Sequence, residues 1–189
     1  MWCTDKIQVS GRTWRLHLTA DRVLAAIEVL GEQDCPPDIL TSTVCRLIVR
    51  GRVPRRLQAN VLQEAFKCIQ DDAPSAQQNG PQTLDFSQDW GLIHAAFLQA
   101  YGIDLDKHLC RMHWRRFLSL LRSTPDGTKL AWVQEIRATP MPKPTRHNGE
   151  ERARLSKLKT FYAIRHKQKS QDEQMQSLYD TLATMAKGR

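Results

Sequence analysis

No stretch of 18 apolar residues occurs in this chain; Arg or Asp interrupts every candidate, so no membrane span is expected. The opening residues, MWCTDKIQVSG, hold no apolar run behind a basic start, and no secretory leader is expected either. Cysteine is scarce: Cys3, Cys35, Cys45, Cys68 and Cys110 are odd in number and nowhere spaced C-x-x-C. That pattern fits reduced, mostly buried thiols in a reducing cytoplasm. The nine glycines are scattered at element ends, leaving little material for a phosphate-binding loop. No G-x-S-x-G, H-E-x-x-H or Ser-His-Asp signature is present, and no catalysis or cofactor is expected.

What remains is an ordinary soluble composition, 41% hydrophobic and 25% charged over 189 residues, enough for one or two domains. The net charge of +8 is unevenly placed. Residues 1–72 carry +1, residues 73–137 carry +1, and residues 138–189 carry +6. A basic tail of this kind suits nucleic acid, an acidic protein surface, or a solvated helix face.

The pattern predicts a mainly α protein: a helical bundle with a small N-terminal β-hairpin and a protruding C-terminal helix. In IQVSGRTWRLHL the alternation turns at Ser10-Gly11. Placing Val9 opposite Arg12 puts Ile7 opposite Trp14, with Leu16 and Leu18 on the same apolar face. Thr19 is a plausible N-cap for a helix with Val23, Ile27 and Leu30 inward. A second helix turns Leu40, Val44 and Leu47 inward, and a third over Arg55–Gln70 has a wide apolar face from Leu57 to Ile69. Residues 73–84 read as a linker after this 1–72 unit.

Residues 85–137 form the central helical unit. Asp85 and Gln88 stand at capping-box spacing ahead of a stripe of Phe86, Trp90, Ile93, Phe97 and Ala100. Cys110, Trp114, Phe117 and Leu121 make a second stripe, and Leu130, Val133 and Ile136 a third. Trp90, Trp114 and Trp132 are expected in the core. Residues 138–149 hold alternate prolines that favour an extended tether. Residues 150–189 read as a basic helix from about 150 to 187, with seams at Leu155, Leu158, Tyr162 and at Met175, Leu178, Leu182, Met185. It has too little apolar surface to fold firmly alone.

Chemistry-bearing candidates are few. His108, Cys110 and His113 lie close together, but no second ligand pair completes a zinc site, so no metal is expected. Asp104 and Asp106 resemble a catalytic carboxylate pair, but Asp104 follows Tyr-Gly-Ile at a helix boundary, where Asp caps ends, and capping is the expected role. The series Arg152, Arg154, Lys157, Lys159, Arg165, Lys167 and Lys169 is the candidate partner-binding surface. Nucleic acid, an acidic groove on a protein and a solvated face all remain open for it.

Three phrases carry a resemblance: D-F-x-x-D-W-x-L-I-x-A-A-F-x-Q-x-Y-G-I-D-L over 85–105, H-W-x-x-F-x-x-L-L over 113–121, and T-x-L-x-x-V-x-x-I-R over 128–137. With V-S-G-R-x-W-x-L-x-L near the start and L-x-x-L-K-x-x-Y-A-I over 155–164, the chain resembles the phage gene-product-fifteen family. Arg115 stands where that family commonly has a second aromatic residue. The resemblance implies a tail-morphogenesis protein of siphophages or prophages in the host cytoplasm, a chaperone for the tape-measure protein. A structural component of the virion tail and a nucleic-acid-binding module are the alternatives.

Overall fold

The computed structural model describes residues 5–32, 35–70 and 82–165. Its elements begin with β1 (Lys6–Val9), β2 (Arg12–Leu16), α1 (Ala20–Gly31), α2 (Pro37–Ile48), β3 (Val49–Arg50) and α3 (Arg55–Gln70). They continue with α4 (Trp90–Tyr101), α5 (Leu105–His108), a 3-10 turn (Leu109–Arg111), α6 (Trp114–Arg122), α7 (Lys129–Ala138) and α8 (Gly149–Phe161). The protein is mainly α, as its periodicity predicts. The described residues group into two compact units: those up to 70 with 108–117, and 82–107 with 118–165. Two of the boundaries, between 107 and 108 and between 117 and 118, fall inside the 85–137 stretch.

In the first unit the hairpin has the predicted register, Ile7 opposite Trp14 and Val9 opposite Arg12. Ser10 and Gly11 sit at φ 51° and 74°, the left-handed pair that a tight two-residue turn requires. Ile7, Val9, Trp14, Leu16 and Leu18 are all buried. The ribbon does not stand alone, because β3 pairs with β2 and places Val49 opposite Leu16. Two residues are too short for any alternation to reveal.

Helices α1, α2 and α3 pack in sequence, and α3 lies against β1. Helix α3 buries Val61, Leu62, Ala65, Phe66 and Ile69. In α1 the buried residues are Ala20, Val23 and Ala26, while Ile27 and Leu30 are only half-buried. The amide of Ala20 donates to the Met112 carbonyl at 2.8 Å, and a small side chain suits a backbone held that close. In α2 the inward set is Thr41, Val44, Cys45 and Ile48, leaving Leu40 and Leu47 half-buried.

The predicted Cys110 stripe needs correction. Cys110 is exposed on the 3-10 turn, and α6 starts only at Trp114. Residues 112–114 run beside 18–20: the Trp114 amide donates to the Leu18 carbonyl at 2.8 Å, and Thr19 bridges His113. These backbone bonds to a distant strand end replace the local helical ones. Trp114, Phe117 and Leu121 are buried as expected. Cys45 is buried, and burial pushes its thiol up to about 12, whereas Cys68 and Cys35 are half-buried.

In the second unit α4 buries Ile93, Ala96 and Phe97 and closes on Gly102, left-handed at φ 64°. Thr128 caps α7 by accepting from the Ala131 amide, and Leu130, Val133 and Ile136 turn inward. Fully burying Phe97 contributes about 2 kcal/mol. Trp90 and Trp132 are half-buried rather than core. No helix or strand occurs between Ala138 and Gly149, where the prolines alternate.

Helix α8 packs on α7 and ends at Phe161, with 163–165 non-helical; the rest of the predicted helix to about 187 lies outside the described residues. Leu155, Leu158 and Tyr162 form its half-buried seam. The second seam, Met175 to Met185, lies outside the described residues, as does most of the predicted linker. Among the described residues no helix is long and apolar enough to cross a membrane.

Candidate functional site

Two of the phrases that marked the resemblance, 85–105 and 128–137, meet at one buried charge pair in the second unit. Asp89 precedes α4 and Arg137 stands in the last turn of α7; their side chains are 3% and 6% exposed. Arg137 Nη1 and Nη2 donate to the two Asp89 carboxylate oxygens at 2.5 and 2.8 Å, a two-pronged match of fork to fork. Its Nε donates to the Tyr162 carbonyl at 2.7 Å and Nη1 also to the Thr83 carbonyl at 2.9 Å. Asp89 in turn accepts from the Asp85 amide at 2.9 Å. With every nearby partner supplied, the pair ties the turn at 85–89 to the ends of α7 and α8. It is a structural clamp.

The capping box forms only in part. Asp85 accepts from the Gln88 amide at 2.7 Å, as that spacing requires. The Gln88 side chain does not reach back to Asp85. It donates to the Ala163 carbonyl at 3.0 Å and accepts from the Arg165 amide at 2.9 Å, holding the chain just past α8.

The basic series is thereby divided. Lys159 is half-buried and donates to the Arg137 carbonyl at 3.1 Å, so it helps dock α8. Arg152 is half-buried on the same helix, whereas Arg154, Lys157 and Arg165 are exposed. Lys167 and Lys169 lie outside the described residues. Arg154 and Lys157 share a helical face with Phe161, at i, i+3 and i+7, and Phe161 is 69% exposed. Beside it, Tyr162 stands edge-on to Trp132, and Lys129 Nζ lies 3.6 Å from the centre of the Trp132 ring. The composite is an aromatic and cationic surface built from α7 and α8. Nothing in the composition flagged Lys129 or Trp132 as part of it, since their proximity to Tyr162 depends on how the helices pack.

The reactive candidates resolve into local structure. His113 accepts the Arg115 amide on Nδ1 and faces Asp5 through Nε2 at 3.1 Å, so it does not join His108 and Cys110 as a ligand set. Asp104 accepts from the Asp106 amide at 3.1 Å, the capping role predicted for it. It also meets His94 Nε2 at 3.3 Å, with Asp106 at 3.6 Å from the same nitrogen, a grouping the sequence spacing hid. These three offer ligand atoms within 4.8 Å of one another. However, the Lys107 ammonium is 2.9 Å from Asp104, and its hydrogen bond is the chief cause holding that carboxyl below the usual range. A cation already occupies the electrostatic role there, and the cluster clasps the joint between α4 and α5.

The family model described as "Bacteriophage Gp15 protein" matches residues 4–164. No curated protein and no solved structure matches the chain. The family match takes in the Asp89–Arg137 clamp and the whole of α8, and stops one residue before Arg165.

Proposed function

The chain belongs to the bacteriophage Gp15 family, and from that membership we propose that it is a tail-morphogenesis protein acting in the host cytoplasm, an assembly chaperone for the tape-measure protein. It works by binding, with no bond made or broken. The partner is a very long, largely helical chain that must stay soluble until tail subunits polymerise around it. A chaperone for such segments needs apolar anchors at its surface and charges that steer the docked helix.

The observation that carries the proposal is the exposed Phe161 aligned with Arg154 and Lys157 on α8. An amphipathic helix with an acidic flank would place apolar residues against the Phe161 ring and carboxylates against the two cations. The clamp behind it, Arg137 with Asp89, keeps this face in place. Co-expression with the phage's tape-measure protein tests the role. The expected result is a higher soluble yield of that protein and its co-purification with this chain, weakened by Phe161→Asp. An unchanged yield with no co-purification overturns it.

A further inference from the structure

Between Asp38 and Glu64 the sequence holds no Asp or Glu, yet it holds Arg46, Arg50, Arg52, Arg55 and Arg56. The balance of +1 over residues 1–72 conceals this island, because the compensating acids lie elsewhere in the sequence. The structure gathers the five arginines around the connection from α2 through β3 to α3, and all five are exposed. Among the described residues no ion pair joins any of them to a carboxylate.

The same connection forms a concave surface. A cleft of about 670 Å³ is lined by Arg46, Arg52 and Arg55, with Cys45, Val53 and Pro54 contributing its apolar part. Its shape is held by local bonds: Gln58 Nε2 donates to the Val53 carbonyl at 3.3 Å, and Val53 itself is buried. Helix α3 opens beside the cleft with no acidic residue in its first turn. Arg55 and Arg56 therefore stand where the helix dipole favours an anion, a local conflict that a bound carboxylate relieves. His17 is held below its ordinary value first by burial, then by Arg22 and Arg50.

We infer that this arginine cleft in the first unit is a docking site for an acidic, Asp/Glu-bearing segment of a protein partner. The inference deepens the chaperone proposal and rests on it for the partner's identity. Guanidinium forks match carboxylates in two-pronged pairs, which lysines do not, and the island contains only arginine. A nucleic acid fits less well. The cleft has no aromatic lining on which a base could stack, and it is a short pocket rather than a stripe along a phosphate backbone.

The test titrates the full-length protein with a labelled polyglutamate peptide and, separately, a polythymidine oligonucleotide of matched charge, from about 50 to about 200 mM salt. The peptide should bind, and Arg52→Glu with Arg55→Glu should weaken it at least about tenfold, the equivalent of one charge-assisted hydrogen bond. Arg111→Glu with Arg116→Glu, exposed arginines elsewhere in the same unit, should leave peptide binding unchanged. The neutral pair Arg52→Gln and Arg55→Gln gives the same reading if charge reversal disturbs folding. No peptide binding, equal loss in the Arg111 and Arg116 control, or tighter oligonucleotide binding through Arg52 and Arg55 would overturn the inference. Co-purification of the tape-measure protein is scored in parallel. Peptide binding without it removes the chaperone proposal and leaves the cleft; co-purification that survives Arg52→Glu with Arg55→Glu does the reverse.

Discussion

Arg137 illustrates how a buried cation is tolerated. Its guanidinium is surrounded by two carboxylate oxygens of Asp89 and the carbonyls of Thr83 and Tyr162, so four of its five N–H donors are answered when water leaves. Asp89→Asn keeps the volume but removes the charge, stranding the guanidinium. It should cost about 3 kcal/mol in urea denaturation; a loss indistinguishable from zero would show that the pair is solvated. His17 makes the opposite use of burial. Desolvation, then Arg22 and Arg50, hold its imidazole below the ordinary 6.5. As pH falls the unfolded chain takes up this proton first, so stability is retained above about pH 6.5 and lost as pH drops toward the folded value. A urea midpoint that declines from pH 7 to about pH 5, with a shallower decline in His17→Gln, is the expected outcome.

At the scale of elements, the reliability of local periodicity depends on what competes with it. The hairpin register and the Arg55–Gln70 helix follow the sequence because alternation and helical spacing there oppose no other bond. The start of α6 does not, because the backbone at 112–114 is claimed by residues 18–20, almost a hundred positions earlier. Helix α8 stops at Phe161, and the chain from Ala163 to Arg165 is held by the Gln88 amide in a non-helical path. Gln88→Ala removes both bonds while leaving the Asp85 turn intact. Trypsin should then cleave after Arg165 several-fold faster in limited proteolysis; an unchanged rate would mean those bonds do not restrain the segment.

For the whole molecule, charge summed over long stretches describes solubility and conceals recognition. Residues 138–189 carry +6, yet of the seven candidate residues there Lys159 serves packing and Lys167 and Lys169 lie beyond the described residues. The proposed chaperone role predicts that the protein leaves the finished tail: mass spectrometry of purified phage particles should find no stoichiometric copy of this chain, whereas retention in the tail would favour a structural role. The amphipathic stripes, the hairpin turn and the ordered family phrases were legible from residue order alone, since each depends on neighbours within a few positions. The Asp89–Arg137 clamp, the aromatic surface beside Phe161 and the arginine cleft were not. Asp89 and Arg137 are 48 positions apart, and which side chains a packed helix brings together is set by contacts between elements, where burial makes an unmatched charge too costly to leave alone.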